Sequence, residues 1–355
     1  METLEQLQNR LESSIAAVRP ADAGEVAKAR AHWDAIAKPL HGLGQLEDVI
    51  ARIAGIAPLR RDNKKCVAVF CADNGVVAQG VTQTGSEVTA IVAGNILTGQ
   101  ASVNCMSRAA GADVLPVDAG MLTEVPGLRS IKAARGTEDL SQIPAMTREQ
   151  CLRVLLSGLD LAEELTKDGY TLLAAGEMGI GNTTTSSAVA AALLGRPAAE
   201  MTGRGAGLSD AGLEKKIRVI DAAISLHRPD PADPVDVLAK VGGYDIAAMA
   251  GFYLGCALNR VPVILDGFIS TVAALTAIRL CPAARDALTA SHLSAEPGAG
   301  YVIEALGLKP LLKLGMALGE GTGAVSVMPL IDMALRVYFD MPSFDGIGID
   351  AYQPQ

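Results

Sequence analysis

Short apolar runs alternate with longer stretches in which apolar positions recur every three or four residues, and the alternation continues along most of the chain. Before residue 60 only the helical spacing is present. It breaks at Lys38-Pro39-Leu40-His41-Gly42-Leu43-Gly44 and resumes at Gln45-Leu46-Glu47 as a new helix. Residues 66–71 (Cys-Val-Ala-Val-Phe-Cys) form a short β-branched run that predicts a buried strand, closed by the turn Ala72-Asp73-Asn74-Gly75-Val76. Residues 114–120, 172–177 and 261–267 repeat that pattern. Each run closes on an acid, namely Asp73, Asp118, Glu177 and Asp266 in chain order.

Apolar strands separated by helices rich in Ala, Leu and Gly imply right-handed crossovers and a parallel sheet buried on both faces. The predicted fold class is therefore α/β, a Rossmann-like parallel-sheet domain over residues 61–355. A smaller helical domain is expected to draw on residues 1–60 and on other helices. Open parallel sheets bind ligands at the carboxyl ends of their strands, so the recurring acids mark the expected site.

Composition narrows the partners. Half of the 355 residues are hydrophobic but only 3% are aromatic, which predicts a core of Ala, Val, Leu and Ile. A net charge of -9 argues against nucleic acid or an anionic membrane as partner, since such binding depends on clustered Lys and Arg. The six cysteines include no C-x-x-C pair and are expected as buried free thiols, all six in the core. Residues 1–19 lack the pattern of a signal peptide, and no uncharged apolar run reaches the ~18 residues of a membrane span, so a cytoplasmic protein is expected.

Common motifs are missing. No glycine is followed directly by lysine, which excludes a P-loop, and no cluster satisfies G-x-G-x-x-G. The four histidines lie far apart, outside any H-E-x-x-H pattern, and no G-x-S-x-G elbow accompanies them. Carboxylate and backbone-amide chemistry remains. Gly176-Glu177-Met178-Gly179-Ile180-Gly181-Asn182-Thr183-Thr184 leads into a strong helix former, and its amides and hydroxyls suit either a phosphate or an ordinary helix cap. Gly203-Arg204-Gly205 opens a loop before Lys215 and Lys216, where a lysine neutralises a phosphate or is simply solvated. Glu320, set among Gly319, Gly321 and Gly323, reads as a placed base or as an anion at a helix start.

These turns belong to a longer ordered set that includes Lys38-Pro39, Asp73-Asn74-Gly75-Val76-Val77, Glu87-Val88-Thr89, Val117-Asp118-Ala119-Gly120, Arg135-Gly136-Thr137, Pro144-Ala145-Met146-Thr147, Ser291-His292 and Ser294-Ala295-Glu296. Through nearly its whole length the chain resembles the nicotinate-nucleotide:dimethylbenzimidazole phosphoribosyltransferases of CobT type. The resemblance implies transfer of the phosphoribosyl group of nicotinate mononucleotide to an aromatic acceptor, with release of nicotinate, for the lower ligand of cobamides. It implies no metal and no other cofactor, and a dimer, either of identical subunits or with a homologous partner. Glu320 matches the family's base, and Glu177 its other active-site glutamate, expected to position ribose and support positive charge. Gly179, Gly205, Lys216, Gly267 and Ser294 match positions that hold the nucleotide and its phosphate, with Gly319 and Gly321 flanking the base. Val76, Gln83, Ser86 and Met178 are expected to line the acceptor pocket.

Two departures stand out. Ser86 occupies the place before Glu-Val-Thr where the family commonly has glutamine, and Ala317 stands where many relatives place arginine. The shorter Ser86 leaves the acceptor open between dimethylbenzimidazole, adenine, phenol and p-cresol. Two other readings compete, a non-catalytic subunit of a paired enzyme and a generic phosphosugar enzyme or dehydrogenase on a similar frame. Retention of both Glu177 and Glu320 argues against the first, because a scaffold has no use for a base among glycines.

Overall fold

In a computed structural model that describes residues 2–352, all four apolar runs become strands of one sheet. Met1 and residues 353–355, which the expected domain ranges include, lie outside the described residues. The strands are β1 (Lys65–Ala72), β2 (Ala112–Gly120), β3 (Arg129–Ser130), β4 (Leu172–Met178), β5 (Val263–Leu265) and β6 (Leu288–Ala290). Their order across the sheet is β3-β2-β1-β4-β5-β6, and every pairing is parallel. Sequence periodicity does not disclose β3 and β6, because two or three residues are too few to display a period of two.

This order reverses direction between β1 and β4, the position at which an open α/β sheet leaves a crevice outside its strand ends. Register makes the crevice polar. Phe70 lies opposite Glu177, and Leu265 lies opposite both Ala175 and Ala290. Asp73, Glu177, Asp266 and His292 therefore all emerge at the carboxyl edge.

Both faces of the sheet are covered, as its uninterrupted apolar strands require. Along β1 the side chains alternate. Cys66, Ala68 and Phe70 enter a core shared with the helices Arg148–Lys167, Tyr244–Leu258 and Phe268–Leu280. Val67, Val69 and Cys71 enter the opposite core, against Gln45–Ile56 and Thr322–Asp340. Helices of the first sixty residues supply both cores, Leu7 and Leu11 the first, Trp33 and Ile50 the second. Residue 60 thus marks where strands begin and not a break in packing.

Two details bear on the sequence expectations. Five cysteines are buried, but Cys105 is exposed on the helix Ser102–Ala110, its sulfur 3.2 Å from the Arg108 guanidinium. An amphipathic helix buries one stripe only, and Cys105 falls outside the stripe formed by Val103, Asn104, Ser107 and Ala110. Among the described residues, the helix Thr322–Asp340 is long and apolar enough to cross a membrane by composition, and half of that apolar window is buried inside the molecule.

Helix Arg148–Lys167 packs against Tyr244–Leu258 where glycines allow backbone to touch backbone. A Cβ on Gly251 would overlap the Leu155 carbonyl, and one on Gly255 would lie 2.5 Å from the Leu159 carbonyl oxygen. Gly251→Ala should therefore push the two helices apart and cost about 1–3 kcal/mol, as overpacked cores do. Urea denaturation of the two proteins checks this, with a lowered midpoint as the expected result.

Candidate active site

Two turns 140 residues apart in sequence form one surface because one of them has no side chain in the way. Gly176 sits in β4, and a Cβ there would overlap the Glu320 carbonyl carbon and the Gly321 nitrogen. With only hydrogen at that point, the Glu320 N–H donates to the Glu177 carbonyl at 3.2 Å. Gly319, Glu320 and Gly321 all take positive φ, at 89°, 60° and 88°. For glutamate that left-handed conformation costs on the order of 1–2 kcal/mol, so neighbours must hold it.

Asp266 is the main holder. Its Oδ2 accepts from the Gly321 N–H at 3.0 Å, while Oδ1 accepts from Gly323 at 2.7 Å and Ala324 at 3.3 Å, which caps the helix Thr322–Asp340. The Thr322 hydroxyl donates to the Gly319 carbonyl at 2.8 Å. The Glu320 carboxylate itself accepts from the Val103 N–H at 3.0 Å. Val103 lies in the first turn of Ser102–Ala110, where free amides and the helix dipole favour a negative charge.

Around Glu177 the electrostatics invert. Burial, then the neighbouring charge of Asp245, pushes its carboxyl up to about 8 despite a hydrogen bond from the Asn182 amide. Burial likewise raises Asp245 and Asp266 to about 6, backbone amides holding Asp266 down from a larger rise. At neutral pH Glu177 is mainly the protonated acid, and Asp266 is ionised.

A cation shares the cavity wall with Glu177 and Asp266. Lys216 is buried, and burial lowers its ammonium to about 8, with Glu296 opposing. Its Nζ donates to the Thr183 hydroxyl at 2.8 Å and the Gly203 carbonyl at 3.1 Å. Gly205, at φ 53°, packs on the same Thr183 hydroxyl. The start of the helix Asn182–Leu194, the 203–205 loop and Lys216 thus converge on one point, which suits an anion. Glu296 closes that end. Burial raises its carboxyl, and its buried Oε2 has no hydrogen-bond partner. Burial lowers His292, whose Nδ1 lies 3.0 Å from the Ser291 hydroxyl.

These groups wall a cavity of about 280 Å³. Of the residues expected from sequence, Gln83, Glu177, Met178, Gly179, Gly205, Lys216, Gly267, Ser294, Gly319 and Glu320 line it. Val76, Ser86 and Gly321 do not. Val76 is fully buried in the core beneath Gly181, because the turn Gly75–Gln79 directs it inward. Ser86 is the residue before the helix Glu87–Leu97 and makes no side-chain capping bond. Gly321 gives its amide to Asp266 beneath the turn. Val81, Val92, Ile180 and Leu318 add apolar surface to the same cavity wall. Sequence reasoning gives no individual role to Asp266, Asn182, His292 or Glu296, yet each carries a signal there, Asp266 as a strand-end acid, Asn182 inside the glycine-rich turn, and His292 and Glu296 inside the Ser291–Glu296 motifs.

The DBI_PRT phosphoribosyltransferase family model matches residues 18–349. A nicotinate-nucleotide–dimethylbenzimidazole phosphoribosyltransferase of Geobacter metallireducens is 43% identical over 350 residues, spanning 97% of this chain and 99% of the relative. One from Chloroflexus aggregans is 47% identical over 344 residues, 96% of this chain and 98% of the relative. Among solved structures, CobT from Thermus thermophilus superposes with a TM-score of 0.87 at 42% identity, covering 93% of this chain and all of that one.

The raised Glu177 carboxyl carries a stability consequence with a definite sign. The unfolded chain ionises this group near 4.5 and the folded chain only near 8, so between those values the folded state holds more protons and stability falls as pH rises. Glu177→Gln removes that penalty. Its melting temperature should gain on the parent's from about pH 4.5 to about pH 8 and run parallel outside that window, measured by calorimetry across pH.

Proposed function

The chain belongs to the nicotinate-nucleotide–dimethylbenzimidazole phosphoribosyltransferase family, and on that premise we propose that it transfers phosphoribose from nicotinate mononucleotide to a dimethylbenzimidazole-type base in cobalamin biosynthesis. The observation that carries this reading is the placement of Glu320 on a strained glycine turn in the wall of one cavity that Lys216 and several apolar side chains also line. Phosphate sits against Lys216, Thr183 and Gly205, and the flat acceptor lies along Val81, Ile180 and Leu318, with Gln83 and Met178 beside it. Gly179, Gly267 and Ser294 line the nucleotide.

In the displacement the acceptor's ring nitrogen forms its bond to C1′ while the bond to the nicotinate nitrogen breaks. Nicotinate leaves with the bonding pair, and the anomeric carbon inverts. The acceptor's other ring nitrogen loses its proton to the Glu320 carboxylate, a general-base step typically worth about 10²–10⁴ in rate. The passing oxocarbenium character at C1′ needs negative charge nearby. Glu177, protonated at neutral pH, does not supply the charge expected of it from sequence. Ionised Asp266, on the cavity wall, fits that part.

The acceptor follows from where the departures fall. Ser86 is the reason to consider phenol or p-cresol, and it lies off the cavity wall, so the benzimidazole reading is favoured. Ala317 does line the cavity and is exposed. A dimer is the assembly this reading carries with it, and exposed Leu314 and Leu318 near the mouth offer apolar surface to a partner.

Incubation with nicotinate mononucleotide and an equal mixture of dimethylbenzimidazole, adenine, phenol and p-cresol should yield chiefly the α-riboside 5′-phosphate of dimethylbenzimidazole. Glu320→Gln should lower kcat by about 10² or more with nucleotide binding retained. A predominantly phenolic product would overturn the acceptor assignment, and undiminished turnover in Glu320→Gln would remove the base.

A further inference from the structure

Behind Glu177 stands a second acid that never reaches the cavity. Asp245 is fully buried at the start of the helix Tyr244–Leu258, and its Oδ1 accepts from the Ile246 N–H at 3.0 Å. One side-chain amide joins the two acids. Asn182 Nδ2 donates to Glu177 Oε2 and, at 3.0 Å, to Asp245 Oδ2, which accounts for both hydrogens an amide nitrogen carries. Gly179 leaves room for this bridge. A Cβ there would come within 3.1 Å of Asp245 Oδ2 and 3.3 Å of Asn182 Nδ2.

Two carboxyls joined in this way and largely buried do not both ionise readily. The helix start favours charge on Asp245. Glu177 has no such partner, and with Oε2 engaged as an acceptor its proton resides on Oε1. That oxygen lies under Gly319, where a Cβ would approach it to 2.6 Å, so the glycine keeps it open toward the cavity. We propose that Asp245 is a positioning residue of the transfer reaction: through the Asn182 amide it orients Glu177 so that Oε1 faces the cavity as a hydrogen-bond donor to the ribose of the nucleotide. A neutral carboxyl kept as a donor at pH 7 is an established device of buried sites. The inference rests on the phosphoribosyltransferase reading above.

The groups facing Glu177 are Asp245 and Tyr253 from the helix Tyr244–Leu258, Cys71 from β1, Asp266 beyond β5 and Glu320 in the turn. Burial holds Cys71 and Tyr253 protonated well above neutral pH. Lys216 also titrates near 8 in the free protein, but bound phosphate holds its ammonium. The measurement is therefore kcat at saturating nicotinate mononucleotide and dimethylbenzimidazole, followed as nicotinate release from pH 6 to 10.

For the parent, kcat should fall above about pH 8 as Glu177 loses its proton. Asp245→Asn removes the neighbouring charge at equal size and should move that fall at least about one pH unit toward acid. Glu177→Gln keeps a donor in place of Oε1 and cannot ionise, so its lower kcat should show no alkaline fall. A loss of kcat in Asp245→Asn that is uniform in pH would make Asp245 merely structural and overturn the proposal. So would an alkaline fall that survives Glu177→Gln, a result that decides the matter even where Asp245→Asn does not fold. Absence of nicotinate release from the parent at any pH would instead remove the phosphoribosyltransferase reading itself.

Discussion

Everything at the candidate site depends on a backbone contact that one missing methyl permits. Gly176 lets the turn at residues 319–321 lie directly on β4, and the contact joins the strand carrying Glu177 to the turn carrying Glu320. Neither glutamate has a long flexible tether to the other. Each is placed by main chain, and the main chain is placed by sterics, so their relative position is as rigid as the sheet. The left-handed conformation of Glu320 is the cost of this arrangement, and the three amides bound to Asp266 offset it.

The sheet explains why acids gather there. In a parallel sheet every strand delivers its last residues to the same edge, and the order around β1 and β4 opens that edge into a crevice. Burial then makes the acids unlike one another. Asp266 is held by backbone amides at a helix start, Asp245 by the Asn182 amide and by backbone at its own helix start, and both retain charge at neutral pH, whereas Glu177 receives the Asn182 amide alone and keeps its proton. Chemically similar residues thus divide into charge carriers and a proton holder through the donors each one meets. Lys216 faces the opposite situation, a buried cation whose contacts are a hydroxyl and a carbonyl.

Several parts of this were legible in the residues themselves. The four apolar runs ending in acids became β1, β2, β4 and β5, and the helical break, over residues 36–44, contains the Lys38–Gly44 stretch where proline and glycine predicted it. Those signals are local, carried by side-chain period and turn chemistry, so a linear reading recovers them. Glycine around Glu177 and Glu320 was legible too, as a sign that backbone must come close to something. Legibility ended where the relevant neighbour was remote. Ser86 and Val76 are pocket residues by the resemblance, yet Ser86 lies off the cavity wall before the helix Glu87–Leu97 and Val76 points into the core. Cys105 looked like the other cysteines and lies outside its helix's buried stripe.

What the sequence by itself determined is the four apolar strands, the helical character of the first sixty residues, the layered α/β class and the type of chemistry, because these follow from periodicity, composition and the identity of a few residues. Only the tertiary structure decided that Gly176 would meet Glu320, that Asn182 would join Glu177 to Asp245, and which acid would hold a proton at neutral pH. The physical reason is that close approach and desolvation arise from residues far apart in the chain. A side chain's protonation depends on which amides and charges surround it once water has been excluded.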